Sequence, residues 1–264
     1  MKLTLYTLFL TLFILASPAS YSASSGLKLD PVEIDVTDQA SLQRGAKTFV
    51  NYCLSCHSAS YMRYNRMAKD IGLTEEQVKK SLMFGPEKIG DTMSIAMRPD
   101  DAKKWFGVAP PDLSVIARAR GTDWLYTYLR TFYVDDSKPI GTNNLVFKDS
   151  AMPHVLWQQQ GYMMQDENGE FTSIAKKPVV GANRLSKDDF SPSSFEYKLL
   201  SAADNQPAAF DYNLMVRDLV NFLAYISEPS KIQRLALGPW VLLYILLFIV
   251  VAYFMKKAFW EDIH

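Results

Sequence analysis

The chain has 264 residues, and its 28 Lys+Arg balance 28 Asp+Glu, so it is formally neutral. That balance excludes the strong basic excess of a nucleic-acid binder. A content of 48% apolar and 13% aromatic residues excludes a chain disordered throughout, and only two cysteines exclude a scaffold held by several disulfides.

The first feature along the chain is Leu3 to Ala16, an apolar run broken only by threonines and preceded by Lys2. Small residues follow at Ala19, Ser20, Ser22, Ala23 and Ser24. A charged start, a short greasy run and a small-residue exit predict a signal peptide over residues 1–24, cut within Ser22 to Ser24. The run is shorter than the about 20 residues that span a bilayer. An uncleaved anchor is the plain alternative.

A helix is predicted to start near Gln39. Asp38 can cap it, because its carboxylate can accept free backbone N–H groups. Leu42, Ala46, Phe49 and Val50 then share one face, and Gly45 permits a second helix to approach closely. The helix leads into Cys53-Leu54-Ser55-Cys56-His57. This is C-x-x-C-H, the attachment signature of a c-type haem. Each thiol adds across one vinyl group, and the adjacent histidine sits under the iron as proximal ligand. A thioredoxin-like redox pair also uses C-x-x-C, but it needs a β-α-β context. A structural disulfide is the other alternative in an oxidising compartment.

The sixth iron ligand must come from elsewhere, with methionine or histidine the usual choices. Spacing alone does not choose among Met83, Met93, Met97, Met152, Met163, Met164 and His154. Met152 has a distinctive context, Ala151-Met152-Pro153, in which proline stiffens the loop. Acidic pairs at Asp135-Asp136, Asp166-Glu167 and Asp188-Asp189 read as solvated turns rather than as a docking face.

Asp211 to Ser227 predicts a second amphipathic helix. Leu214, Leu219, Phe222, Leu223 and Ile226 form its apolar face, and Glu228-Pro229 ends it. First and last helices crossing beside a haem is the arrangement of class I cytochromes c. Leu235 to Met255 then runs 21 residues without a charge. As a helix it reaches roughly 30 Å, the thickness of the hydrocarbon core. Trp240, Tyr244 and Tyr253 fall near its ends, where amphipathic rings favour the interface. Gly238 and Pro239 are placed in its first turn, where proline costs least. Between Ser25 and Ile232 lie 24 basic and 26 acidic residues, so the intervening domain is mildly acidic.

Several further stretches carry a resemblance. Ala96-Met97-Arg98-Pro99, Ala109-Pro110-Pro111-Asp112-Leu113-Ser114, Arg118-Ala119-Arg120, Asp149-Ser150-Ala151-Met152-Pro153 and Asp218-Leu219-Val220-Asn221-Phe222-Leu223 are similar to segments of the cytochrome c1 family. Its members are the haem subunits of cytochrome bc1 complexes. The order of pieces also matches, from signal peptide to C-terminal anchor. The stretches between Met62 and Ala96 and between Tyr133 and Asp211 match only weakly.

The resemblance implies one covalently attached haem c, held by Cys53 and Cys56, with its iron between His57 and Met152. It implies that Arg120 pairs with a haem propionate and that Pro110 and Pro111 pack against the ring. Met97-Arg98-Pro99 reads as structural. The implied activity is relay of single electrons from a Rieske iron–sulfur protein to a cytochrome c, within a quinol–cytochrome c reductase that also contains cytochrome b. That complex is implied to be dimeric.

The resulting layout is mainly α: a class I cytochrome c-like domain with long loop insertions over residues 25–234, an anchor helix over 235–255 and a tail over 256–264. A translocated N-terminus places the haem domain in the periplasm of a bacterial inner membrane and the tail in the cytoplasm. Competing readings are an anchored monohaem subunit of a terminal oxidase, a sensor or enzyme with an open iron site, and a non-redox membrane scaffold.

Overall fold

The computed structural model describes residues 27–165, 171–175, 198–199 and 206–261. The expected signal peptide, His264 and the acidic pairs Asp166-Glu167 and Asp188-Asp189 lie outside the described residues. The remainder is mainly helical, with three small antiparallel sheets inserted in the connections.

Helix α1, Gln39–Tyr52, starts where capping chemistry places it, with the Asp38 carboxylate accepting the Ser41 amide. Leu42, Ala46, Phe49 and Val50 are all buried. Strand β1, Ala59–Arg63, leads into α2, Tyr64–Asp70, and α3, Glu75–Ser81. Helix α3 opens on a capping box in which Thr74 and Gln77 bond each other's backbone amides. Strand β2, Thr92–Met93, pairs back on β1. Helix α4, Pro99–Phe106, has proline at its first position, where a missing N–H costs nothing.

Two short helices follow, α5, Ile116–Arg120, and α6, Thr122–Arg130. Gly121 separates them at φ 88°, a backbone conformation that favours glycine. Strands β3, Phe132–Val134, and β4, Thr142–Asn144, form a hairpin. After α7, Trp157–Gln160, come β5, Tyr162–Gln165, β6, Phe171–Ala175, and β7, Lys198–Leu199, as the third sheet. Every strand pair among the described residues is antiparallel. A thioredoxin-like parallel unit therefore does not surround the cysteines.

Helix α8, Gln206–Ser227, crosses α1. The crossing is close because Gly45 has no side chain: a Cβ there would lie 2.1 Å from the Asp218 carbonyl oxygen and 2.7 Å from Phe222 Cβ. Phe49 and Phe222 meet beside it, ring centroids 5.5 Å apart. Leu219, Phe222, Leu223 and Ile226 are buried as their spacing predicts. Leu214 is only half-buried, and Val216 occupies the core instead, because Val216 lies three and four residues before Leu219 and Val220 on the buried stripe, whereas Leu214 lies five before Leu219 and falls off it. Each large side chain sealed here contributes about 1.5–3 kcal/mol.

Three residues join α8 to α9, Lys231–Trp260. This helix contains the apolar stretch, extends it at both ends and has none of its residues buried. Pro239 is therefore not in the first turn but inside the helix. It withholds a hydrogen bond from the Leu235 carbonyl and the helix continues, as proline does in membrane-spanning helices.

Candidate functional site

The C-terminus of α1 turns tightly through the cysteine motif. Cys53 N bonds Phe49 O at 2.9 Å, while Cys56 N and His57 N both bond Cys53 O, at 3.0 and 2.8 Å. This turn brings Cys53, Cys56 and His57 to one wall of a cavity of about 420 Å³. No disulfide joins the two cysteines. Burial, followed by its neighbour Cys56, pushes the Cys53 thiol up to about 12.

Pro110 and Pro111 line the same cavity. The loop carrying them is fastened to the motif's exit by the residues that follow. Asp112 accepts the Ser60 and Ser114 amides at 3.0 and 2.7 Å, Leu113 N donates to Ser58 O at 2.8 Å, and Ser114 Oγ accepts the Tyr61 amide at 3.1 Å. The Pro111 carbonyl consequently lies 2.8 Å from His57 Nδ1. A carbonyl cannot donate, so Nδ1 carries the proton and Nε2 keeps its lone pair for a metal. Burial lowers the His57 pKa, partly offset by Pro111 and the nearby Asp112 charge, which favours the neutral imidazole that can ligate. Sequence reasoning gave Pro111 a packing role and missed this carbonyl.

Arg120, at the end of α5, reaches the cavity with its guanidinium over the Trp124 ring, 5.0 Å from the centroid, and 5.9 Å from that of Phe147. It is exposed, and among the described residues it makes no ion pair with a carboxylate. Aromatic contacts hold the cation without neutralising it, so the arrangement suits an anionic group on the ligand.

Met152 lines the cavity, and its Sδ accepts from Tyr128 Oη at 3.4 Å. None of Met83, Met93, Met97, Met163, Met164 or His154 lines it. His154 is buried elsewhere, stacked on Phe132 with centroids 5.2 Å apart. Burial pushes its pKa down to about 4.

The Met152 loop is held by residues that the sequence did not single out. Asn144 Oδ1 accepts the Val146 and Phe147 amides at 2.9 and 3.1 Å, while its Nδ2 donates to Tyr128 O at 2.8 Å. Asn143 Oδ1 accepts the Asp149 amide at 2.9 Å, and Asp149 adopts φ 59°. Asp135 is a turn residue as expected, accepting from Ser137 N and Oγ.

The rest of the lining is apolar, including Leu125, Leu129, Val155, Leu219 and Leu223. Two thiols, an imidazole with a free lone pair, a thioether and an unpaired guanidinium thus face one greasy space. Its size lies within the usual range of about 300–1,000 Å³ for cofactor sites. This donor set fits a covalently held haem, with Cys53 and Cys56 to bond it, His57 and Met152 as axial donors and Arg120 for a carboxylate.

Comparison with known proteins agrees. A family profile described as "Cytochrome C1 family" matches residues 33–180 and 190–263. The chain is similar to "Cytochrome c1" of Allochromatium vinosum, 42% identical over 97% of this chain and 99% of the relative. It is also similar to "Ammonia monooxygenase gamma subunit" of Nitrosomonas europaea, 44% identical over 97% of this chain and 98% of the relative. "Cytochrome b/c1" of Bradyrhizobium diazoefficiens is 26% identical over 86% of this chain and 34% of the relative. With its cavity, its C-x-x-C-H turn and these matches over nearly its whole length, the chain belongs to the cytochrome c1 family of haem proteins.

Proposed function

We propose that the chain is the membrane-anchored monohaem subunit of a quinol–cytochrome c reductase, relaying single electrons from a Rieske iron–sulfur protein to a cytochrome c. The observation that carries this reading is the convergence of Cys53, Cys56, His57, Pro110, Pro111, Arg120 and Met152 on one cavity.

When bound there, haem iron supplies a one-electron ferrous–ferric couple. The chain's own residues supply the rest. Cys53 and Cys56 would hold the group through thioether bonds. His57 Nε2, oriented by the Pro111 carbonyl, and Met152 Sδ would supply the iron's ligands. Arg120 would meet a propionate with a charge-assisted contact. The apolar walls exclude water from the site.

Residues 1–24 and 231–260 support placing this domain in the periplasm, with α9 crossing the inner membrane beside cytochrome b and the tail in the cytoplasm. The name "Cytochrome b/c1" of the longer relative supports that partnership. A dimeric complex belongs to the same reading.

A relay serving a membrane monooxygenase is the second reading, favoured by the name of the Nitrosomonas europaea relative. Purification of the native complex separates the two. Recovery with cytochrome b and a Rieske protein supports the reductase. Recovery with a monooxygenase or a copper–haem oxidase core defeats it. The ligand assignment is tested optically: the oxidised protein should show a sulfur-to-iron charge-transfer band that Met152→Leu abolishes. A wild-type spectrum without that band overturns Met152 as ligand.

A further inference from the structure

Tyr128 has one hydroxyl proton and two neighbours that compete for it. Ser150 Oγ lies 2.9 Å from Tyr128 Oη, and Met152 Sδ lies 3.4 Å from it. A thioether has no proton to give, so in the Tyr128–Met152 contact the tyrosine must donate. The Tyr128–Ser150 contact is then satisfied only if Ser150 donates and Tyr128 accepts. The opposite polarity leaves the sulfur contact without a proton. Ser150 and Tyr128 are both buried, so water does not readily supply a substitute partner.

The tyrosine ring is fixed as well. It stacks on Trp124, centroids 4.9 Å apart at 9°, and meets Phe132 edge-on at 5.0 Å. Its backbone carbonyl is held by Asn144. Packing therefore aims the hydroxyl at the sulfur.

We propose that Ser150 and Tyr128 form a two-hydroxyl relay, Ser150 Oγ–H to Tyr128 Oη and Tyr128 Oη–H to Met152 Sδ, which positions the methionine sulfur and tunes it as an electron donor. The proposal rests on Met152 being the axial ligand. A thioether sulfur has two lone pairs, one for iron and one for Tyr128. A hydrogen bond on the second pair draws density from the first. A poorer donor stabilises ferric iron less than ferrous iron, so the relay favours the reduced state. Ser150 strengthens it, because a hydroxyl that accepts a bond donates a better one.

The test is redox titration of the holoprotein in its membrane complex, with optical spectra. In Tyr128→Phe, which keeps the ring and its stacking, the ferric-to-ferrous ratio at fixed ambient potential should rise about threefold. That is ~30 mV at 59 mV per tenfold for one electron, the size expected for one modest hydrogen bond. The sulfur-to-iron band should persist but move. Ser150→Ala should shift the ratio in the same direction by less, and the double variant should match Tyr128→Phe alone. An unchanged potential and band in Tyr128→Phe overturns the relay. So does a Ser150→Ala shift toward the reduced state, or a double variant that exceeds Tyr128→Phe. If Tyr128→Phe fails to hold haem, the sign of the Ser150→Ala shift decides. A wild type lacking the sulfur band overturns the ligand reading and the relay with it. A wild-type band that Met152→Leu removes but Tyr128→Phe does not move overturns the relay alone.

Discussion

Asn144 is fully buried, and its side chain bonds two amides of the loop that leads to Met152 and the carbonyl of Tyr128. Truncation to alanine strands a buried carbonyl and two amides together. Each buried polar group left without a partner costs about 1–3 kcal/mol, and part of that is recovered by loop relaxation. Asn144→Ala should therefore lower stability by about 2–4 kcal/mol, read from the denaturant midpoint of the haem-loaded protein. It should also weaken the sulfur-to-iron band, because the same bonds seat Met152. A destabilised variant with an undiminished band would separate the loop from the ligand. Asn144 was not legible in the sequence, because nothing in a lone Asn-Asn pair distinguishes a solvated turn from a buried clamp. Met152 was partly legible: its Ala-Met-Pro context narrows seven candidates no further than a preference, and the cavity wall is what separates it from His154.

The elements differ in how far their sequence determined them. Helices α1 and α8 were readable because a cap, an apolar period and a glycine each report on local geometry, and all three agree. The two- and three-residue strands were not, since pairs this short exist only where tertiary structure brings them together. The cavity itself is built from the end of α1, the loop before α5, helices α5, α6 and α8 and the loop after β4, and periodicity carries no distances between such segments. At the α1–α8 crossing, Asp218 accepts from Arg44 Nε at 2.5 Å and from Ser41 Oγ at 2.7 Å. Burial alone would raise its pKa, but the bonds from Arg44 and Ser41 outweigh it and hold the carboxyl below its ordinary 3.8. A depressed folded value means stabilisation that is complete above the unfolded pKa and lost as pH falls through the folded one. Asp218→Asn should therefore cost about 1–2 kcal/mol at neutral pH, and the gap between variant and wild type should close as pH drops below about 4. Urea midpoints at several pH values check this, and a gap that stays constant with pH would show that the charge plays no part.

The whole molecule joins a cavity to a long exposed apolar helix through a very short link. Leu223 of α8 lines the cavity, and α9 begins eight residues later at Lys231. Even fully extended, eight residues reach no more than about 29 Å, so the site stays close to the start of α9. The link is stiffened by an ion pair between Arg234 and Glu228 at 2.6 Å, though an exposed pair of this kind adds at most about 1 kcal/mol. Yet α9 places none of its residues in the core and none in the cavity lining. Among the described residues its apolar surface is exposed, which suits lipid or another subunit. The anchor should accordingly be separable. A chain ended after Pro229 should partition into the aqueous phase of a detergent phase-separation assay, keep its covalent haem and keep the sulfur-to-iron band. Loss of the band would mean that the anchor shapes the Met152 wall from a distance. Retention in the detergent phase would mean that a second membrane-binding surface exists on the haem domain. The full chain, which keeps α9, should by contrast enter the detergent phase.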